Sequence, residues 1–427
     1  MKRSFILAAA ACTMLLAATP EAGWAGDDAV IGEVLGILLK RGDIDRAKYT
    51  ELVAKSERHR ARQASLLGRI ELSGDLRGRL ENFWYDRDAT GFEQENRTRG
   101  RYRIRIQGKA RVNDHVTAGF RLATGGDRRS TNQTLGGGGL DFAPDGIYVD
   151  RAYIEVRPFP EHDVELVLGK QSNPFRWKKG KDYMLWDGDV NPEGVAVKWA
   201  GDVAAAVRVF TNVGYMVLDE NSSRKDPNFF AIQGGAHISL AEGINAGGRV
   251  SWYRFGSVDM GVTGRGFSQG SGGGGNLSLH QDPGDPIEVL ELAGYVSCAC
   301  SESWPALLYF HYARNTSADD ALTGDEQDTG WGIGLEVGDK KKIAKLGFGY
   351  YALEADFFPS QFIDSDLFDG FTNRKGFTVY GSKQIWANTD LSVTFFMGDD
   401  IEDSALFSNS TVQADRMRLQ TDLVVRF

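Results

Sequence analysis

The chain has 427 residues, with 49 Lys and Arg against 58 Asp and Glu and a formal net charge of −9. That balance gives no support to a nucleic-acid partner, which needs a basic face for its phosphates. Gly is abundant at 52 residues, Pro scarce at 11, aromatics make up 11%, and the length exceeds what one compact soluble core usually needs.

The N-terminus has the form of an export signal, residues 1–25. Lys2 and Arg3 are its positive start, Phe5 to Ala18 its apolar run, and Gly23 and Ala25 the small residues a signal peptidase takes. A membrane anchor would need about 20 apolar residues, and lipid attachment at Cys12 conflicts with an apolar run that continues past it. Residues 26–67 are expected to form a periplasmic helical segment. Val30, Ile31, Val34, Leu35, Leu38 and Leu39 recur at helical spacing. Gly42 ends that helix, and Asp43 can cap a second carrying Ala47, Leu52 and Val53. The basic run Arg58 to Arg62 is then a solvated helix end, and the segment serves oligomer or cell-wall contact or packs weakly below the next domain.

From residue 68 to 427 the period changes to two. In Ile70 to Leu80, Leu72, Leu76 and Leu80 share one face, while Glu71, Asp75, Arg77 and Arg79 share the other. Arg99, Arg101, Arg103 and Arg105 alternate with Gly100, Tyr102, Ile104 and Ile106. Arg151, Tyr153 and Glu155 alternate with Ala152, Ile154 and Val156. Arg418, Gln420 and Asp422 alternate with Leu419 and Leu423. These segments run about 9 to 15 residues, long for soluble strands and right for crossing a bilayer at a tilt. Short turns at Asn113-Asp114, Pro158 to His162, Gly201-Asp202, Ala241 to Gly243, Ser301 to Ser303, Asp339 to Lys341 and Ala387 to Thr389 alternate with eight longer Gly- and Asp-rich stretches. This pattern predicts an all-β fold: a transmembrane antiparallel β-barrel of about 16 strands, with both ends and the short turns periplasmic. Backbone groups cannot stay unpaired in hydrocarbon, so the sheet must close. Trp252-Tyr253, Phe310, Tyr312, Tyr350-Tyr351, Trp386 and Phe395-Phe396 fall near strand ends, as an aromatic girdle requires. Cys298 and Cys300 read as two small inert side chains, with a Cys-Ala-Cys disulfide the other possibility. No metal site and no cofactor is expected.

Arg69 to Pro174 resembles the bacterial putative-porin family, a relative of general and phosphate-selective porins. The resemblance is carried by the Arg-rich second strand (Arg99 to Arg111), by Tyr148 to Pro158 and by Leu168 to Phe175. The terminal Phe427 is similar to the outer-membrane assembly signature, which implies the barrel assembly machinery as a partner. The resemblance implies an outer-membrane location in a Gram-negative bacterium and a homotrimer. It also implies that the loop after the fifth strand, Ser172 to Glu193, folds inward and narrows the lumen. Arg176, Lys178, Lys179 and Lys181, then Asp182, Asp187 and Asp189, would line that constriction and set a transverse field.

Four Arg on one face of one strand cannot face lipid, where each would cost about 2–4 kcal/mol near the midplane. Arg99, Arg101, Arg103 and Arg105 are therefore expected in the lumen, with Arg121, Arg151, Glu71 and Asp75. They either stiffen the wall through ion pairs with Glu71, Asp75 and Glu81 or guide anions. The expected function is passive diffusion of small hydrophilic solutes or ions. A dedicated or export channel is the alternative. An enzyme is disfavoured because none of the six His residues sits in a recognisable catalytic motif, and a soluble secreted β-protein would alternate for another reason, to bury one face.

Overall fold

A computed structural model describes residues 35–42, 44–55, 70–86, 96–126, 130–137, 142–159, 161–220, 222, 225–258, 275–277, 285–299, 301–318, 326–402 and 415–427. The expected signal segment and the basic run Arg58 to Arg62 lie outside them. The chain divides into two units, residues 1–71 and 72–427.

In the first unit, residues 35–41 and 46–55 are helical. Gly42 stops the first helix with φ +76° and an N–H bonded to Leu39 O, the left-handed exit that glycine takes without strain. The cap of the second helix is Asp45, whose Oδ1 accepts from Lys48 N at 2.6 Å. The expected cap, Asp43, lies outside the described residues.

The second unit is built from sixteen long strands: β1 (Ile70–Asp86), β2 (Arg97–Arg111), β3 (Val116–Gly125), β4 (Gly146–Val156), β5 (Val164–Lys170), β6 (Glu193–Ala204), β7 (Val207–Val217), β8 (Asn228–Ala241), β9 (Ile244–Gly256), β10 (Ile287–Cys298), β11 (Ala306–Asn315), β12 (Thr329–Gly338), β13 (Lys345–Leu353), β14 (Arg374–Trp386), β15 (Thr389–Asp400) and β16 (Asp415–Arg426). Each pairs with the next, and β1 pairs antiparallel with β16 from Asp75↔Arg426 to Asp86↔Asp415. The sheet closes on itself, which leaves no edge. At the seam Gly74 and Phe427 exchange two backbone bonds of 2.8 and 3.1 Å. A Cβ on Gly74 would stand 2.6 Å from the Phe427 ring and 2.7 Å from Arg105 O, so only glycine lets the terminal ring lie there.

Leu72, Leu76 and Leu80 of β1 are exposed on the outer surface, as are Leu168, Leu290, Phe310, Ile333, Phe348 and Leu423 around the ring. These are the apolar phases of the alternation. Six of the seven expected turns fall where the sequence placed them. The exception is Gly201-Asp202, which remains inside β6, with the turn at Ala205-Ala206. A register shift between Asp202 and Ala204 and the Arg208–Asp202 ion pair at 3.1 Å carry the ladder onward. The girdle expectation divides by parity. Phe310 and Trp386 point out, but Tyr253, Tyr351 and Phe396 are buried inside the barrel. Cys298 is disulfide-bonded, so the expectation of an inert thiol is corrected there; Cys300 lies outside the described residues.

Candidate functional site

The inward face of β1, β2, β16 and their neighbours is a wall of paired charge. Arg103 Nη2 donates to Asp75 Oδ1 at 2.6 Å and Arg105 Nε to Asp75 Oδ2 at 2.7 Å. Arg99 and Arg418 both bond Glu81, and Arg101 stands 3.8 Å from it. Arg79 clasps Asp422 with two bonds of 2.6 and 2.9 Å. All four residues of the predicted ladder therefore share one face and one set of acids. Glu71 is exposed at the start of β1 and joins none of these pairs.

Arg121 and Arg151 enter through an irregularity. The β3–β4 register slips between Arg121 and Leu122, so Asp150 and Arg151 both reach the interior, where a regular strand would send one to lipid. Asp150 bonds Arg121 and accepts Asn191 Nδ2 at 2.7 Å, while Arg151 Nε donates to Asn191 Oδ1 at 2.7 Å. Alternation alone places Arg151 on the inward face but not Asp150.

Asn191 belongs to the connection between β5 and β6, residues 171–192, here L3. Its neck is tied by Gln171 N to Pro192 O at 2.9 Å. From there L3 crosses to strands about half the ring away. Lys181 Nζ reaches Thr394 of β15 at 2.7 Å, and the Lys181 carbonyl accepts from Tyr309 of β11 and Tyr351 of β13, each at 3.3 Å. Gly180, at φ +68°, lets the tip lie flat on the wall: a Cβ would come within 2.3 Å of the Tyr309 ring. Thr394 and Tyr309 are mid-strand residues, so the crossing is near mid-height.

The tip is pinned by buried charge. Asp182 Oδ2 lies 2.6 Å from His311 Nδ1, and Glu291 Oε1 lies 2.6 Å from His311 Nε2. With a carboxylate at each ring nitrogen, the ring donates twice, as the imidazolium does. Glu291 also bonds Arg249 and accepts Tyr253 Oη at 2.5 Å. Asp187 and Asp189 are anchors too. Asp187 accepts Ser365 N at 3.2 Å and Asp189 N at 2.9 Å, and Asp189 accepts Thr131 N at 3.2 Å. Arg176 Nε donates to the Trp186 carbonyl at 3.0 Å, and Lys179 sits 4.4 Å over the Tyr295 ring. The structure thus brings together Arg176, Lys179, Lys181, Asp182, Asp187 and Asp189 in L3, with the acids tied into the framework.

A second loop, residues 354–373 between β13 and β14 (L7), also folds inward. Trp186 of L3 meets Phe358 and Phe362 of L7 at ring separations of 5.2 and 5.4 Å, and Tyr253 of the wall at 5.5 Å. Phe175, Met184, Leu185, Phe229, Phe255, Ile287, Val289, Leu353 and Phe357 complete a dry cluster. The inward face of β8 to β13 is therefore partly apolar. L7 sends Asp366 and Asp369 to the basic wall, where they pair with Arg79, Arg416 and Arg418. Arg79, Arg249, Glu291, His311, Asp366 and Arg418 were absent from the predicted site. The phase of β1 and β16 signals Arg79 and Arg418; nothing local signals the others.

Residues 90–270 match the family described as "Putative porin". In fold the closed barrel is of the porin type. No curated protein matches it in sequence. The OprB structure of Pseudomonas putida aligns over 86% of this chain and 96% of its own at 9% identity, with a TM-score of 0.57, a likeness of fold. The outer-membrane channel DcaP of Acinetobacter baumannii aligns at 13% identity over 84% and 97%, TM-score 0.47. Salmonella typhi OmpF aligns at 11% over the same shares, TM-score 0.48.

The electrostatics of L3 have a measurable consequence. Burial pushes the Lys181 ammonium down to about 8, against the pull of Asp366 and Asp422. Lys178 is lowered as well, by desolvation inside the barrel and then by Lys198, Arg176, Arg151 and Arg249. Lys181 is thus cationic below about pH 8 and neutral above it. Raising the pH from about 7 to about 9.5 should lower the barrel's anion-over-cation permeability ratio about twofold. Reversal potentials under a KCl gradient measure this, and most of the slope should vanish in K181M. The folded state binds Lys181's proton less tightly than the unfolded chain, so stability rises with pH between about 8 and the ordinary lysine value.

Proposed function

We propose that the protein is a diffusion porin of the Gram-negative outer membrane, passing small hydrophilic solutes and preferring anions. The observation that carries this is the basic inward wall of a closed barrel narrowed by L3. Arg99, Arg101, Arg103, Arg105, Arg121 and Arg151 line the passage, with Asp75 as the partner of Arg103 and Arg105 and Glu71 at the rim. Arg176, Lys178, Lys179 and Lys181 border it from L3. Ion pairing stiffens this wall, but guanidiniums outnumber carboxylates on it, so the residual field favours anions. Residues 1–25 act as the export signal, 26–67 as a periplasmic helical segment, and 68–427 as the membrane domain. Phe427 serves barrel assembly, and the assembled form is a homotrimer. No covalent chemistry is assigned.

A substrate-specific channel is the second reading. It is favoured by L3 and L7 filling one side of the lumen with apolar side chains. Liposome swelling separates the two. A general pore admits neutral sugars at rates that fall smoothly with size, while a specific channel excludes most of them and admits one chemical class. Swelling no faster than in protein-free liposomes for every solute contradicts both.

A further inference from the structure

We propose that Asp366 is a built-in occupant of a carboxylate seat on the barrel wall, and that carboxylate-bearing solutes bind where it sits. This rests on the porin reading for its physiological meaning, but the seat is a feature of side chains alone.

Three wall residues converge on the Asp366 carboxylate. Arg79 Nη1 donates to both oxygens at 3.0 and 2.9 Å, Arg418 Nη2 to Oδ1 at 3.0 Å, and Gln420 Nε2 to Oδ1 at 2.9 Å. Arg79, Arg418 and Gln420 are 7%, 4% and 2% exposed, so the donors are fixed in direction before any anion arrives. One N–H nitrogen from each of two guanidiniums and a side-chain amide meeting one carboxylate make a strong, directional, charge-assisted site.

The local charge is unbalanced without this occupant. Arg77, Arg79, Arg99, Arg101 and Arg418 face Glu81 and Asp422 from the strands themselves, five cations against two anions. Asp366 supplies a third anion and Asp369, 3.4 Å from Arg418, a fourth, and both come from a loop. The wall can therefore exchange Asp366 for another carboxylate without breaking the strand ladder. Asp366 N bonds Asp364 Oδ1 at 2.9 Å, which shapes the turn that presents it. Burial alone would raise the Asp366 carboxyl, but Arg79, Arg418 and Arg77 hold it well below the usual range. Its neighbour Asp364 is pushed up by burial and by Asp187 and Asp366, so the anion in the seat is Asp366.

Wild type, D366N and D366A are compared in planar bilayers, each first checked for the heat-dependent gel shift of a folded barrel. The anion-over-cation permeability ratio should rise about threefold on removing the charge. Millimolar succinate should reduce conductance more strongly in D366A and D366N than in wild type, and neutral succinamide should not. In parallel, calorimetry in detergent should show succinate binding D366A and failing to bind D366A/R79M. Equal permeability ratios and equal succinate sensitivity in all three proteins, with no calorimetric binding, overturn the proposal. Wild type without any channel steps defeats the porin reading alone, and calorimetry then decides the seat. D366N, neutral and isosteric, carries the test should D366A not refold.

Discussion

Glu291→Gln is expected to destabilise the barrel by about 3–5 kcal/mol, because it leaves buried cations without their counter-charge. Glu291 is 0% exposed and holds Arg249, Tyr253 and His311 together. With the carboxylate gone, Arg249 and the doubly donating His311 ring are left with Asp182 as the one remaining anion of the set. Asp182 is also the pin of L3, so conductance should become noisier and higher. The midpoint of the heat-dependent gel shift reads the stability. The triple change R249M/E291L/H311F should cost much less, since removing a buried ionic set together avoids the orphaned charge. A midpoint for E291Q equal to that of wild type would refute this role.

Reversing the wall, with Arg101→Glu and Arg103→Glu together, is expected to turn ion preference from anion to cation. Each substitution changes the lumen charge by two, and the field in a narrow low-dielectric passage acts over its whole cross-section. Asp75 and Glu81 would lose partners, so R101Q/R103Q serves as the milder companion, shifting the reversal potential in the same direction by about half as much. Reversal potentials identical to wild type in both variants would remove these residues from the lumen.

The barrel was legible because lipid imposes a strict rule on one face of every strand. Leu72, Leu76 and Leu80 had to alternate with charge, and the Arg99 to Arg105 ladder could go only inward. Alternation could not mark the whole lumen, for a physical reason. On β10, Leu290 and Leu292 face out while Ile287 and Val289 face in against L3 and L7. When both faces are apolar, period two no longer marks the lumen. The register slip at Asp150 was equally hidden, since a bulge changes which residues point inward without changing composition. The pins of L3 escaped because His311, Glu291 and Asp182 are brought together by register and loop path, at separations of 20 and 129 residues from His311. Asp366 escaped because a loop carboxylate looks solvated until the loop is seen to fold back.

Single-channel recording of the purified wild-type protein in a planar bilayer under a KCl gradient tests most directly whether an ionic inner surface encloses a conducting path. Discrete conductance steps with a reversal potential on the anion side are expected. A chain that stays monomeric and dissolved without detergent and produces no steps would contradict it.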